Sequence, residues 1–383
     1  MFVKDIHELV NATTQEVLGE TGLINEDFTN LVDVGNEIVN TDNVDNYVKK
    51  LVNRIGKTVF DNRKYEGNVP NVLMDSWEYG SILQKISADL PKATENESWQ
   101  LEDGREYKTD IFYQPTVSAK FFNNKVTFEI PMSFTERQVK ESFSSSTELN
   151  GFISMLTTAV ENSITVKLND LIMKTITNMI GETLFTDIGL TEAGKLKSAT
   201  GVRAVNLKKV FDYTESLDKA LTDKEFILKT NHLINTYKTR LTNLSTLFNG
   251  GNKERFTPIK DLNLVLHSDF ASSSDVYLLS DTRHKELVDV ENYSIVPFWQ
   301  GSGETYDLTD TTAIDIVTSE GNTVKTDGII GVMFDKQALG VANLDKRVTT
   351  NYNAKAEFYT NYYKVDSGYF NDFDENFIVF YFA

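Results

Sequence analysis

Over the first 65 residues, apolar positions recur at three- and four-residue spacing: Ile6, Leu9 and Val10, then Leu31, Val34 and Ile38, then Val44, Val48, Leu51, Val52 and Ile55. That spacing places each set on one helical face, and Gly19, Gly22 and Gly67 punctuate the series. The apolar residues are too few to enclose a core, so the segment reads as an arm of short helices. At Pro70 the pattern changes to aromatic and β-branched residues, and four of the six prolines fall between positions 70 and 131. Within it, one hairpin can be read down to register in PTVSAKFFNNKVTFEIP. A two-residue turn at Asn123 and Asn124, where asparagine tolerates positive φ, predicts a hairpin pairing Phe121 with Val126, Ala119 with Phe128 and Val117 with Ile130. All six then share one apolar face, and Lys120, Thr127, Ser118 and Glu129 share the polar one. The preceding KATENESWQLEDGREYKTD is polar and turn-rich, as a projecting loop is.

The longest periodic segment follows. From Thr147 to Ile180 a single apolar stripe runs without proline, with Ser146 or Thr147 as a start and Gly181 as a stop. A helix of about thirty residues is about 45 Å long. The stripe lacks charged flanking heptads, which favours packing along a sheet over a coiled coil. Further helical patterns fill 205–248, and FNGGNKERFTP breaks the chain. Beyond the break, LNLVLHSDF, YSIVPFWQ, DGIIGVMF and ENFIVFYF are strand candidates separated by helix or turn signals. The last is apolar at every position of FIVFYF, as a strand buried on both faces is.

Composition removes several kinds of chemistry. The chain has no cysteine, hence no disulfide, no thiolate nucleophile and no cysteine-bound metal. No stretch approaches the roughly twenty apolar residues that span a bilayer, and the start lacks a signal peptide's apolar core, so no membrane partner is expected. The formal charge is −18, which disfavours broad adhesion to nucleic-acid backbone. Residues 1–50 carry ten acidic side chains against three lysines, read as a solvated helical face or a partner-binding arm.

His7, His232, His267 and His284 show no metal-ligand spacing, and no phosphate-binding or nucleophile-elbow motif is present. No catalytic residue, metal or cofactor is expected. In DGIIGVMFDKQALG, Gly328, Gly331 and Gly340 lack a phosphate loop's strand-to-helix context and instead serve tight turns or close backbone approach. Asp335 and Lys336 then read as a surface or subunit-contact pair. A carboxylate pair of glycosidase type, and an aromatic platform in EFYTNYYKVDSGYF, remain open at this level.

Two blocks carry a family resemblance. Residues 76–143 (SWEYGSILQKISADL through TERQVKESF) and 328–382 (GIIGVMFDKQALG through ENFIVFYF) resemble the major capsid protein of tailed bacteriophages, similar to those of phages of Gram-positive bacteria, and cover about a third of the chain. The resemblance implies an α+β Hong Kong 97-type capsid fold. It divides the chain into an N-terminal arm (1–65), an extended β loop region (66–140), a peripheral domain with a spine helix (141–255), an axial domain (256–349), and a return to the peripheral domain with a closing strand (350–383). It implies a non-enzymatic subunit that assembles as pentamers and hexamers into an icosahedral head in the host cytoplasm. Its partners would be copies of itself, portal and scaffolding proteins, and double-stranded DNA held without sequence specificity. The start at Met1 straight into the arm implies a separate scaffolding protein and no cleaved leader. Val117, Ala119, Phe121, Val126, Phe128, Ile130, Asp335 and Lys336 are the expected subunit-interface residues. An encapsulin-like cellular compartment shell and an acidic carbohydrate-active or sugar-binding protein are the alternatives.

Overall fold

The computed structural model describes residues 3–18, 23–25, 30, 34, 50, 70, 72–74, 82–88, 90–107, 110–114, 116–135, 137, 146–191, 195–279, 292–300 and 311–383. The helices expected between 26 and 65 lie outside these, apart from isolated positions. The first helix, α1 (Val3–Leu18), is present. It rests on its own chain, with Val10 fully buried and Ile24 and Val34 joining the same core.

The backbone of the molecule is α2 (Ser146–Ile188), 43 residues and about 65 Å long. Val160, Ile164, Leu168, Ile172, Ile176 and Ile180 form its buried stripe. The helix runs straight through Gly181, the expected stop. That glycine instead lets a strand approach: a Cβ there would meet the Ile316 side chain at 3.1 Å. The stop is about two turns further on, at Gly189, whose φ of +76° suits the left-handed end of a helix.

Two sheets pack along α2. The first has the order β1-β11-β12-β4, from β1 (Leu73–Met74), β4 (Lys125–Thr135), β11 (Leu339–Asn353) and β12 (Phe358–Asn371). Strands β11 and β12 form one long antiparallel hairpin and β4 adds to the edge of β12, where Pro131 is tolerated. Its inner face sets Tyr359, Tyr363 and Val365 against α2, and Phe134 stacks on Tyr359 at 6.0 Å. Most of the aromatic run EFYTNYYKVDSGYF is therefore an interior strand, with Tyr359, Tyr363 and Phe370 buried in the core.

The second sheet has the order β5-β13-β10-β6-β7, from β5 (Ala204–Asn206), β6 (Leu262–His267), β7 (Asn292–Val296), β10 (Ile329–Asp335) and β13 (Phe377–Tyr381). All four strands expected after residue 255 are here. The sheet is covered twice. Val332, Phe334, Phe377 and Val379 face the α2 side, while Ile330, Met333, Ile378 and Phe380 face a helical layer. That layer comprises α3 (Leu207–Val210), α4 (Leu217–Leu221), α5 (Lys224–Leu241) and α6 (Ser268–Leu279). Burial on both faces is why β10 and β13 read as unbroken apolar runs. Gly331 is needed where β10 crosses β6, since a Cβ would lie 2.5 Å from Leu266 Cδ2 and 2.9 Å from the Val265 carbonyl. Gly328, at φ +72°, lies against the Phe382 carbonyl.

This sheet takes strands from both sides of residue 255, β5 before it and β6, β7, β10 and β13 after it. It also takes the closing strand β13, which pairs with β10 on one side and β5 on the other.

A small hairpin, β8 (Ile314–Val317) and β9 (Thr323–Thr326), sits on α2. The Glu182 carboxylate accepts the Ser319 N–H of its turn.

Candidate assembly interface

Strand β2 (Leu83–Ala88) pairs antiparallel with β3 (Val117–Phe122), and the two form a ribbon of their own. The expected β3–β4 hairpin does not exist. Neither Asn123 nor Asn124 takes positive φ, so the tight turn that would fold β4 back on β3 is not made. The chain instead runs on, and β4 pairs with β12: Val126 opposite Ser367, Phe128 opposite Val365, Ile130 opposite Tyr363.

The six apolar positions consequently separate. Val126, Phe128 and Ile130, half-buried, pack against the subunit's own core. Val117, Ala119 and Phe121 lie on the outer face of the ribbon, beside Ile86 of β2. Ile86 and Phe121 are each 64 % exposed and Val117 57 %. The ribbon carries a loop, residues 90–114, exposed at every described position. Trp99 (95 % exposed), Phe112 and Tyr113 stand out on it. The loop is held by its own bonds: Asn96 caps the turn Glu97–Trp99, Arg105 pairs with Glu97 at 3.2 Å and lies over the Tyr107 ring, and Glu102 N–H donates to Tyr107 Oη at 2.9 Å. Exposed apolar patches rimmed by polar residues are typical of interaction surfaces.

The inner face of the ribbon is charged. Lys85 and Lys120, directly opposite in the ladder, reach the turn after β12. Asp372 Oδ2 lies 2.7 Å from Lys85 Nζ and Asp372 Oδ1 2.8 Å from Lys120 Nζ. Lys85 also meets Glu375 at 2.7 Å, Lys120 meets Asp374 at 2.6 Å, and Arg255 Nε reaches Glu375 at 3.2 Å. Burial works against the Asp372 carboxylate, yet hydrogen bonds from Lys120 and Lys85 outweigh it and hold its pKa below the usual carboxylate range. Its contribution to stability is thus present above that range and lost only as pH falls below it. Burial likewise opposes the Lys120 ammonium, and its bonds to Asp372 and Asp374 outweigh burial and raise its pKa. Each carboxylate of this acidic turn is matched by a cation, so it offers no free acid and base for glycoside hydrolysis.

Asp335 is buried, not a surface contact. Its carboxylate accepts the Gln337 N–H at 2.7 Å at the end of β10, and burial raises its pKa. Lys336 is exposed, at a cavity of about 370 Å³ beneath the ribbon that Leu73, Leu83 and Phe370 also line. His267 is buried with its pKa lowered by burial, His232 is exposed on α5, and the His7 side chain and His284 lie outside the described residues. Among the described residues no group of three or more His, Asp or Glu is placed to hold a metal, and no helix is long and apolar enough to cross a membrane.

Spacing gave no access to the charged node, whose partners lie 120 to 290 residues apart. Strand β11, polar along its outer half, also escaped pattern reading.

A long helix lying along two sheets, with a ribbon projecting from them, is the α+β Hong Kong 97-type capsid fold, and the chain is a structural shell protein, not an enzyme. The capsid of Staphylococcus phage Andhra is similar at TM-score 0.50 with 12 % identity, covering 84 % of this chain and 86 % of that one. That of the cyanophage P-SCSP1u is similar at 0.42 with 12 % identity, over 84 % and 91 %. No curated protein matches. The chain belongs to the Phi29-like phage major capsid protein family, whose model matches residues 10–381. Family membership favours the phage capsid over the compartment shell and the carbohydrate-active protein, and makes the virion capsid its location.

Proposed function

We propose that this capsid protein assembles as pentamers and hexamers into an icosahedral head enclosing double-stranded DNA, with contact between copies made through the outer face of the β2–β3 ribbon and its loop. The observation that carries the ribbon's role is its uncovered apolar strip, Ile82, Ile86, Val117, Ala119 and Phe121, on a projection with no sheet of its own behind it. Burying such a strip against a neighbour is favourable by roughly 25 cal/mol per Å² of apolar surface covered. Lys336, exposed near the ribbon's base, belongs to the same contact. The charge of −18 supports a role around DNA that is contained but not gripped, because its 56 acidic side chains outnumber the 38 basic ones that could release counterions from the backbone. A scaffolding protein, a portal and assembly in the host cytoplasm complete this reading. Electron microscopy and size-exclusion chromatography of the expressed protein, with and without a scaffolding partner, test it. Rings and shells are expected; a monomer that forms neither under any condition overturns it.

A further inference from the structure

The β2–β3 ribbon is a two-stranded sheet that no described strand joins to either large sheet. A backbone ladder therefore does not set its angle to the body, and an isolated two-stranded ribbon has little rigidity of its own. Its seat on the body is electrostatic. The two lysines of its inner face and Arg255 meet Asp372, Asp374 and Glu375, three cations against three carboxylates. Asp372 is 2 % exposed and bridges both strands, one carboxylate oxygen to each lysine. Asp335, buried behind the node, is a fourth carboxylate near Lys85 and Glu375. The remaining ties include one ring contact, Phe122 to Phe370 at 5.0 Å, and a long bond from Lys85 Nζ to the Gln337 carbonyl at 3.4 Å.

We propose that this node is a latch: in the free subunit it fixes the angle between ribbon and body, and so the direction in which the apolar strip meets the next copy, and losing its charges lets the ribbon swing. Ion pairs this close and this shielded are directional, because leaving any one member unpaired is costly. An apolar seat of the same area would slide. The consequence for the shell rests on the proposed role of the ribbon's outer face; the latch itself does not.

Because the chain has no cysteine, two introduced cysteines are its only spin-label sites. Ala88→Cys on the ribbon and Glu320→Cys at the β8–β9 turn are both exposed. Pulsed electron resonance on the unassembled subunit then reads the angle as a distance. One narrow distance is expected with the node intact, and also in a K92Q/K355Q control that removes the same two charges elsewhere. In K85Q/K120Q that single distance should be lost to a broad distribution. A double variant as narrow as its parent overturns the latch. If the double variant lacks a cooperative melt, K120Q alone, at the most exposed member of the node, is expected to broaden the distance, and an unchanged width overturns the latch equally. Phe121→Ser keeps the latch and alters only the strip, so shells that form normally from it count against the proposed interface while leaving the latch standing.

Discussion

Strands β3 and β4 follow each other directly in the chain, separated by Asn123 and Asn124, and share one alternation of apolar and polar residues. Their fates are opposite. The apolar side chains of β4 fill the core beneath β12, and those of β3 face outward on the ribbon. Period-two patterning marks a face that will be covered; it does not say whether the cover comes from the same chain or from another. The difference lies in partners far away in sequence: Val365 and Tyr363 for β4, and for β3 the polar anchor at Asp372 and Asp374 with the ring of Phe370 beside Phe122.

Charge at the two strands should separate them. Phe128→Asp places a carboxylate against the subunit's own core and should cost on the order of 3 kcal/mol or more of unfolding free energy, read by denaturant titration of the unassembled subunit. A loss below 1 kcal/mol would undo the assignment of β4 to the core. Next in size is Gly331→Ala, where the added methyl meets Leu266 and the Val265 carbonyl; about 2 kcal/mol is expected, and thermal unfolding checks it.

Tyr381 probes the same interior more gently. Its hydroxyl donates to the Ala199 carbonyl at 2.7 Å, and burial pushes its pKa up to about 12, with a hydrogen bond to Asn206 acting the other way. A raised folded-state pKa means that its contribution is complete below the ordinary phenol value of about 10 and is lost as pH rises through the folded value. Tyr381→Phe should cost about 1 kcal/mol at neutral pH, and its stability should fall less between pH 10 and 12 than that of the parent. Parallel alkaline curves would show that another group is responsible. Smallest in stability is Phe121→Asp on the ribbon, within about 0.5 kcal/mol of the parent, yet expected to abolish shells in the assembly assay. Normal shells would mean that the outer strip of β3 is not a contact.

Much of the fold was legible because its signals are local. A long stripe gives a long helix, and strands sandwiched between two layers announce themselves as continuous apolar runs. Gly181 was misread because a glycine within a helical pattern looks like a stop unless the strand that needs its missing Cβ is known to lie across it. The hairpin failed for a related reason. Asn123 and Asn124 permit a tight turn, but β12 offers β4 eleven residues of pairing, far more than the short β3. The exposed strip was legible as an apolar face in Val117, Ala119 and Phe121, but their exposure was not. The node beneath it was invisible, since each lysine or carboxylate alone looks like ordinary solvated charge.

The place of β13 inside the second sheet bears on manufacture. Strands β5, β6, β7 and β10 all leave the ribosome before it, and the flanks of β5 and β10 that it joins stay unpaired until it arrives. A polypeptide cut short before residue 377 would carry two open strand edges and a half-covered sheet, a form prone to aggregate. The order of synthesis therefore acts as an inspection step, in which the last of this sheet's strands to be made certifies that the other four are present.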